Sequence, residues 1–103
     1  MFADLVSHRE ELHELCRRFH VRRLDLFGSA TRDDFVPARS DLDFVVEFDP
    51  DATDATSLDA YFAFRDSLEA LFGRKVDLIE AGAIRNPYLT AQIERSREPL
   101  FEA

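Results

Sequence analysis

Two apolar strands joined by a polar segment constrain the fold of this chain more than any other feature. Residues 21–27 have a period of about two, with Leu24 and Leu26 on one face, and stop at Gly28-Ser29. A second run of about the same period covers residues 41–48. Successive side chains of a strand point to opposite faces, so Asp41 and Asp43 share one face while the apolar residues around them enter a core. The pattern predicts two carboxylates held side by side on a rigid element.

The paired carboxylates and the Gly28-Ser29 turn suggest binding of a metal ion and an anion. Two neighbouring carboxylates repel each other unless a cation lies between them, and carboxylate oxygens are the ligands that Mg²⁺ prefers. The Gly28-Ser29 turn can add backbone N–H groups for an anion, since glycine allows the main chain to approach closely. A metal site beside an anion-binding turn indicates nucleotide chemistry.

A third carboxylate is expected on the same face. Asp77 lies in the apolar run of residues 75–80, between two apolar neighbours. If those neighbours pack against helices, Asp77 points to the same open face as Asp41 and Asp43, because side chains alternate along a strand. The sequence therefore predicts a cluster of three carboxylates.

The rest of the chain predicts a small α/β domain. Apolar spacing indicates helices over residues 4–20, 57–72 and 87–96, and strands over residues 21–27, 41–48 and 75–80. The tail, residues 98–101, is expected to add an edge strand or to pack as an apolar arm. A chain of 103 residues normally folds as one unit, so we expect a single domain over residues 1–103.

Charge and composition narrow the class of partner. The net charge of −8 argues against a nucleic-acid interface, because affinity for nucleic acid depends largely on Lys and Arg that neutralise phosphates. No stretch approaches the roughly 20 apolar residues of a membrane span. The single cysteine, Cys16, excludes an internal disulfide and suits a reducing compartment. We expect a cytoplasmic protein whose partners are a nucleotide and another protein.

The motif resembles a known signature. Gly28-Ser29, Arg32 and the run Ser40-Asp41-Leu42-Asp43 are similar to the GS…R…SDxD pattern of the DNA polymerase β superfamily of nucleotidyltransferases. The short chain is most similar to the minimal nucleotidyltransferase (MNT) subfamily, members of which are antitoxins to HEPN-type RNases. The resemblance covers nearly the whole chain and implies the polymerase β-like α/β fold, a mixed β-sheet with helices packed on one face.

The resemblance also implies roles for individual residues. The implied catalytic residues, which would hold two Mg²⁺ ions, are Asp41, Asp43 and Asp77. The implied nucleotide-binding residues are Gly28, Ser29, Arg32 and Ser40. The implied reaction transfers AMP from ATP to a Tyr hydroxyl of a HEPN toxin, so the chain is expected to form a hetero-oligomer with that toxin.

One departure from the family pattern favours an alternative function. The family usually has Gly after the Arg, whereas this chain has Asp33 followed by Asp34. Two further negative charges near a triphosphate weaken its binding. The alternative is a non-catalytic antitoxin or interaction module that inhibits a partner RNase by binding. The base preference and the identity of the acceptor stay open.

Other polar and aromatic residues receive structural interpretations. His13, Cys16 and His20 fall on one face of the first helix, but three ligands from one helix seldom complete a tetrahedral zinc shell. Asp25, on the first strand, is expected to face solvent. Three aromatic residues of the second helix are expected in the core: Tyr61, Phe62 and Phe72.

Overall fold

The computed structural model describes residues 3–28, 42–51, 58–83 and 85–103. In chain order its elements are helices α1 (Ala3–Ser7) and α2 (Arg9–Arg18), strands β1 (Val21–Phe27) and β2 (Leu42–Phe48), helix α3 (Leu58–Phe72), strand β3 (Val76–Glu80), a short 3₁₀ turn (Ala81–Ala83), helix α4 (Pro87–Ser96) and strand β4 (Glu98–Glu102). The longest helix of this part has 15 residues, and none there is long and apolar enough to cross a membrane.

The strands form one mixed sheet in the order β3-β2-β1-β4. β1 runs antiparallel to both of its neighbours, whereas β2 and β3 are parallel. Parallel neighbours require a crossover connection, and α3 lies in the chain between these two strands. The tail forms β4, an edge strand paired with β1. The predicted α/β class with a mixed sheet is confirmed.

The main core lies between one face of the sheet and helices α1, α2 and α3. Alternate strand residues point into it, and Leu24, Phe44 and Phe64 are completely buried. Burying a leucine or phenylalanine side chain contributes about 1.5–3 kcal/mol, so this layer is the main source of stability. The strand residues that enter this core are those that the alternating pattern predicted.

Helix α4 lies on the other face of the sheet. Phe27, Val45 and Ile93 form a second buried cluster there, with Leu89 packed against it. The expected layer of helices on one face is present as α1, α2 and α3, and α4 adds a partial cover to the opposite face. Strand alternation places Asp43 on the same face as Val45, so α4 borders the predicted site.

The first helix is interrupted, whereas the sequence predicted one helix over residues 4–20. His8, between α1 and α2, has φ −105° and ψ 19°, values outside the regular helix. Leu5 and Leu12, on either side of the break, are both buried, and the His8 ring packs edge-on against Phe72. These tertiary contacts accompany a break that helical spacing alone does not reveal.

Asp25 is completely buried, so the prediction that it faces solvent was wrong. Its Oδ2 accepts a hydrogen bond from Nε of Arg97 at 2.6 Å, and Nη2 of Arg97 forms an ion pair with the same oxygen at 2.5 Å. Nε of Arg23 lies 3.0 Å from the same oxygen. A buried carboxylate needs ion pairs and hydrogen bonds to offset its lost hydration, and these two guanidinium groups supply them. The ion pair between Asp25 and Arg97 joins β1 to the residue that follows α4.

Helix α4 begins and ends at the predicted residues. Oδ1 of Asn86 accepts the N–H of Tyr88 at 2.9 Å and so caps the first turn. Pro87 occupies the first helical position, where its missing N–H costs no hydrogen bond. Local signals at the start of this helix therefore predict its beginning correctly.

Candidate active site

A glycine at the end of β1 lies against Asp43. Gly28 follows Phe27 and has a φ of +78°, which residues with a side chain rarely adopt. A Cβ atom at this position would lie 2.5 Å from Oδ2 of Asp43. Only glycine allows the backbone to approach the carboxylate of β2 this closely.

The N–H of Gly28 points into the protein. It donates to Oγ of Ser96, the last residue of α4, at 3.1 Å. The sequence analysis expected the N–H groups of this turn to receive an anion, but the N–H of Gly28 already has an acceptor within the protein. Gly28 contributes to the site through its close approach to Asp43.

Asp43 and Asp77 face each other across the parallel strands β2 and β3. Asp43 is half-buried and Asp77 is exposed. Within the part of the chain that the structure describes, the carboxylate of Asp77 makes no hydrogen bond or ion pair. Like charges at opposed positions of neighbouring strands are destabilising, so this pair favours a bound cation.

The two carboxylates line an open cleft of about 440 Å³ at the β3 edge of the sheet. Its remaining walls come from the strands, α3 and α4: Phe27, Tyr61, Arg65, Val76, Leu78, Ile79 and Leu89. Pockets of this size hold small ligands. The combination of two carboxylates, one arginine and apolar surface suits a ligand that carries both charge and a flat ring.

Tyr61 and Arg65 are cleft residues that the sequence analysis did not propose for the site. The Tyr61 hydroxyl donates to the carbonyl of Leu78, and the guanidinium carbon of Arg65 lies 4.9 Å from the centre of the Phe62 ring. Their spacing of four residues shows that they share a helix face. Nothing in the sequence shows that this face borders β3. Of the three aromatic residues predicted in the core, Phe72 is buried and Tyr61 is partly buried against the core, whereas Phe62 is exposed, so the prediction was wrong for Phe62.

A larger surface cavity, of about 570 Å³, lies at the opposite end of β1. Its walls include Arg22, Asp49 and Asp51. Arg22 pairs with Glu47 at 3.6 Å, and Oδ1 of Asp49 accepts the N–H of Asp51 at 2.9 Å. None of the predicted site residues that the structure describes lines this cavity, so the smaller cleft at Asp43 is the stronger candidate site.

The structure brings together Gly28, Asp43 and Asp77 from the predicted site. The other predicted site residues lie outside the described residues: Ser29, Arg32, Ser40 and Asp41. The same holds for the two acidic residues that depart from the family pattern, Asp33 and Asp34. The roles of these six residues stay predictions.

Comparison with known proteins identifies the family. The nucleotidyltransferase domain family matches residues 8–100, a segment that contains the whole cleft. The chain belongs to this family. It is 37% identical over 92 residues to a Methanocaldococcus jannaschii protein provisionally named protein adenylyltransferase MJ0128, a match that covers 87% of this chain and 84% of that protein. It is 34% identical over 82 residues to the protein adenylyltransferase MntA of Thermococcus cleftensis, covering 80% of this chain and 75% of that protein.

Solved structures share this fold. One, provisionally described as a minimal nucleotidyltransferase, matches with a TM-score of 0.74 and 30% identity over 92% of this chain and 91% of that one. An MNT antitoxin in complex with a tri-AMPylated HEPN toxin of Shewanella oneidensis matches with a TM-score of 0.66 and 19% identity, over 96% of this chain and 73% of that one. The expected polymerase β-like fold is confirmed, and the chain is a nucleotidyltransferase.

The carboxylate oxygens of this nucleotidyltransferase are the type of ligand that a hard divalent cation prefers. Asp43 and Asp77 present oxygen atoms from neighbouring strands, and Asp41 lies two residues before Asp43 in the chain. In the described ranges, no three His, Cys, Asp or Glu side chains gather into a metal-binding group. The described donor set is therefore a pair of carboxylates, and Mg²⁺ commonly binds one or two carboxylates together with substrate phosphates and water.

The thiol and one histidine of α2 belong to the packing of the core. Cys16 is completely buried, and burial raises the pKa of its thiol from 9.0 to about 12. Nε2 of His13 lies 2.9 Å from the carbonyl oxygen of Leu100, and its ring packs edge-on against Phe101. These contacts join α2 to β4. A buried, protonated thiol is a poor metal ligand and a poor nucleophile.

Proposed function

We propose that this nucleotidyltransferase transfers AMP from ATP to a tyrosine hydroxyl of a HEPN-type toxin and thereby acts as an antitoxin. The observation that carries the proposal is the pair Asp43 and Asp77, held opposite each other in a cleft beside the close-approaching Gly28. An exposed carboxylate beside a half-buried one suits a reaction in which one partner binds the nucleotide and the other faces an incoming hydroxyl.

The names of the relatives support the choice of reaction. The matched proteins of Methanocaldococcus jannaschii and Thermococcus cleftensis are both named as protein adenylyltransferases. Among the fold neighbours, one structure holds an antitoxin with an AMPylated HEPN toxin, and another toxin–antitoxin structure contains AMP-PNP. These findings concern those proteins, and they support ATP as the nucleotide and a toxin as the acceptor for this chain.

The proposed reaction is an in-line displacement at the α-phosphorus of ATP. A bond forms between the tyrosine oxygen and the α-phosphorus, and the bond from that phosphorus to the bridging oxygen breaks, so pyrophosphate leaves. The carboxylate of Asp77 is exposed to solvent and has no hydrogen bond or ion pair with the described residues, so it is available to orient the hydroxyl and accept its proton.

The remaining implied residues would complete the site. Asp41, Asp43 and Asp77 would hold two Mg²⁺ ions, which when bound stabilise the entering and leaving oxygens of such a displacement. Ser29, Arg32 and Ser40 would contact the phosphates. A chain with a net charge of −8 needs a cationic side chain at this place, such as Arg32, to hold a triphosphate. We place the reaction in the cytoplasm, where ATP is abundant and Cys16 stays reduced.

The test is an intact-mass measurement of the partner toxin after incubation with the chain, ATP and Mg²⁺. The toxin should gain the mass of one or more AMP groups. Asp77→Asn should lower the transfer rate by a factor of about 100 or more, because the group that faces the acceptor loses its charge and its basicity. Glu80→Gln is the matched control, since Glu80 is exposed on the same strand outside the cleft.

A second readout separates catalysis from inhibition by binding. Asp77→Asn should still form a complex with the toxin in size-exclusion chromatography, yet it should fail to protect cells that express the toxin. If Asp77→Asn protects cells as well as the unmodified chain does, the adenylyltransferase proposal is wrong and the chain is a binding antitoxin.

A further inference from the structure

The hydroxyl of Ser96 connects the end of α4 to the glycine turn. It accepts the N–H of Gly28 at 3.1 Å and donates to the carbonyl of Gln92 at 3.0 Å. Ser96 is half-buried and lies 68 residues from Gly28 in the chain. The proposed reaction assigns no role to this residue.

The end of α4 is anchored firmly enough to hold this hydroxyl in place. Ile93, one turn before Ser96, is buried in the cluster with Phe27. Arg97, the next residue, pairs with the buried carboxylate of Asp25 at 2.6 Å. Apolar packing on one side and a buried ion pair on the other therefore fix Ser96 relative to β1.

Gly28 needs such an anchor because its own backbone preference is weak. Glycine adopts positive and negative φ about equally readily, so the observed φ of +78° is one of several accessible states. The hydrogen bond to Ser96 exists only when the N–H of Gly28 points toward α4. That bond therefore favours the backbone state in which Gly28 lies against Asp43.

We propose that Ser96 is a positioning residue for the nucleotide site, which acts by holding Gly28 in place beside Asp43. The proposal rests on the proposed function, since it assumes that the nucleotide binds at this turn. Without the hydroxyl, the backbone state in which Gly28 lies against the Asp43 carboxylate is less strongly favoured.

Three variants test this role. Ser96→Ala removes the acceptor, whereas Ser96→Thr keeps a hydroxyl on the same helix and should restore the parent behaviour. Ser67→Ala is the matched control, because Ser67 also donates to the carbonyl four residues earlier, at 2.8 Å, but lies on α3 outside the walls of the cleft. Each is compared with the unmodified chain.

The first measurement is calorimetric titration with Mg²⁺ and a non-hydrolysable ATP analogue. Ser96→Ala should bind about five to ten times more weakly, the usual loss for one hydrogen bond, while Ser96→Thr and Ser67→Ala should match the parent. An affinity unchanged in Ser96→Ala, with only a lower melting temperature, would assign Ser96 a purely structural role and overturn the proposal.

The second measurement does not depend on nucleotide. Amide hydrogen exchange at Gly28, followed by NMR, should be slow in the parent and in Ser96→Thr and at least several times faster in Ser96→Ala. Unchanged exchange would show that Ser96 does not hold the turn. If the parent binds no nucleotide but amide exchange at Gly28 responds as expected, the proposed function is wrong, whereas the conclusion that Ser96 holds Gly28 in place is supported.

Discussion

Replacing Gly28 with alanine tests the geometry of the site most directly. The new Cβ would lie 2.5 Å from Oδ2 of Asp43, and real Cβ contacts are essentially never under 3.0 Å, so at least about 0.5 Å of displacement is required. Catalytic groups must be held within about 0.5 Å of their productive geometry. A misplacement of about 1 Å can lower a rate by about 100-fold, so we expect a loss of about ten- to 100-fold in nucleotidyl transfer.

Gly73 supplies a matched control for the backbone strain. It has a φ of +65°, close to that of Gly28, but nothing lies within 4 Å of a Cβ added there. An alanine at either position costs about 1–2 kcal/mol, because a residue with a side chain is unfavourable in the left-handed region. Any additional loss of stability in Gly28→Ala therefore measures the contact with Asp43.

Urea unfolding and transfer assays on both variants separate these effects. Gly73→Ala should lose about 1–2 kcal/mol of unfolding free energy and keep its transfer rate within about twofold at a temperature where it is folded. Gly28→Ala should lose more stability and most of its activity, and the excess destabilisation should disappear in a background of Asp43→Ala. Parent-like activity in Gly28→Ala would refute the argument that close approach to Asp43 shapes the site.

Two further predictions concern buried groups outside the cleft. Asp25→Asn should lower the free energy of unfolding by about 3 kcal/mol in urea denaturation, because it leaves the guanidinium of Arg97 without its carboxylate. The control, Asp66→Asn on the surface, should change the free energy of unfolding by less than about 0.5 kcal/mol. Equal effects of the two substitutions would contradict the role of the buried ion pair. Cys16→Ala should remove an alkaline sensitivity. Above pH 9.0 the thiol of the unfolded parent loses its proton, whereas the buried thiol of the folded parent, with a pKa of about 12, keeps it. The parent therefore loses stability relative to the variant by up to about 1.4 kcal/mol per pH unit. A stability difference between parent and variant that does not change with pH would refute this prediction.

Local signals in the sequence determined the strands, α4 and the facing of the carboxylates. β1 ends directly before Gly28, and α4 begins after the cap at Asn86, as predicted. Asp43 and Asp77 lie on one face because each stands between two apolar residues that enter the main core, and a strand alternates with a period of two. Side-chain facing along a strand therefore needs no knowledge of the rest of the fold.

The contacts between distant segments were decided only by the tertiary structure. Alternation correctly turns Asp25 away from the main core, but it does not show that α4 and Arg97, 72 residues later, cover that face. The same holds for Ser96 and Gly28, which lie 68 residues apart, and for Arg65, whose helix face borders the cleft. The periodicity of apolar residues depends on positions a few residues apart in the sequence. The burial of a side chain depends on which remote segment packs over it.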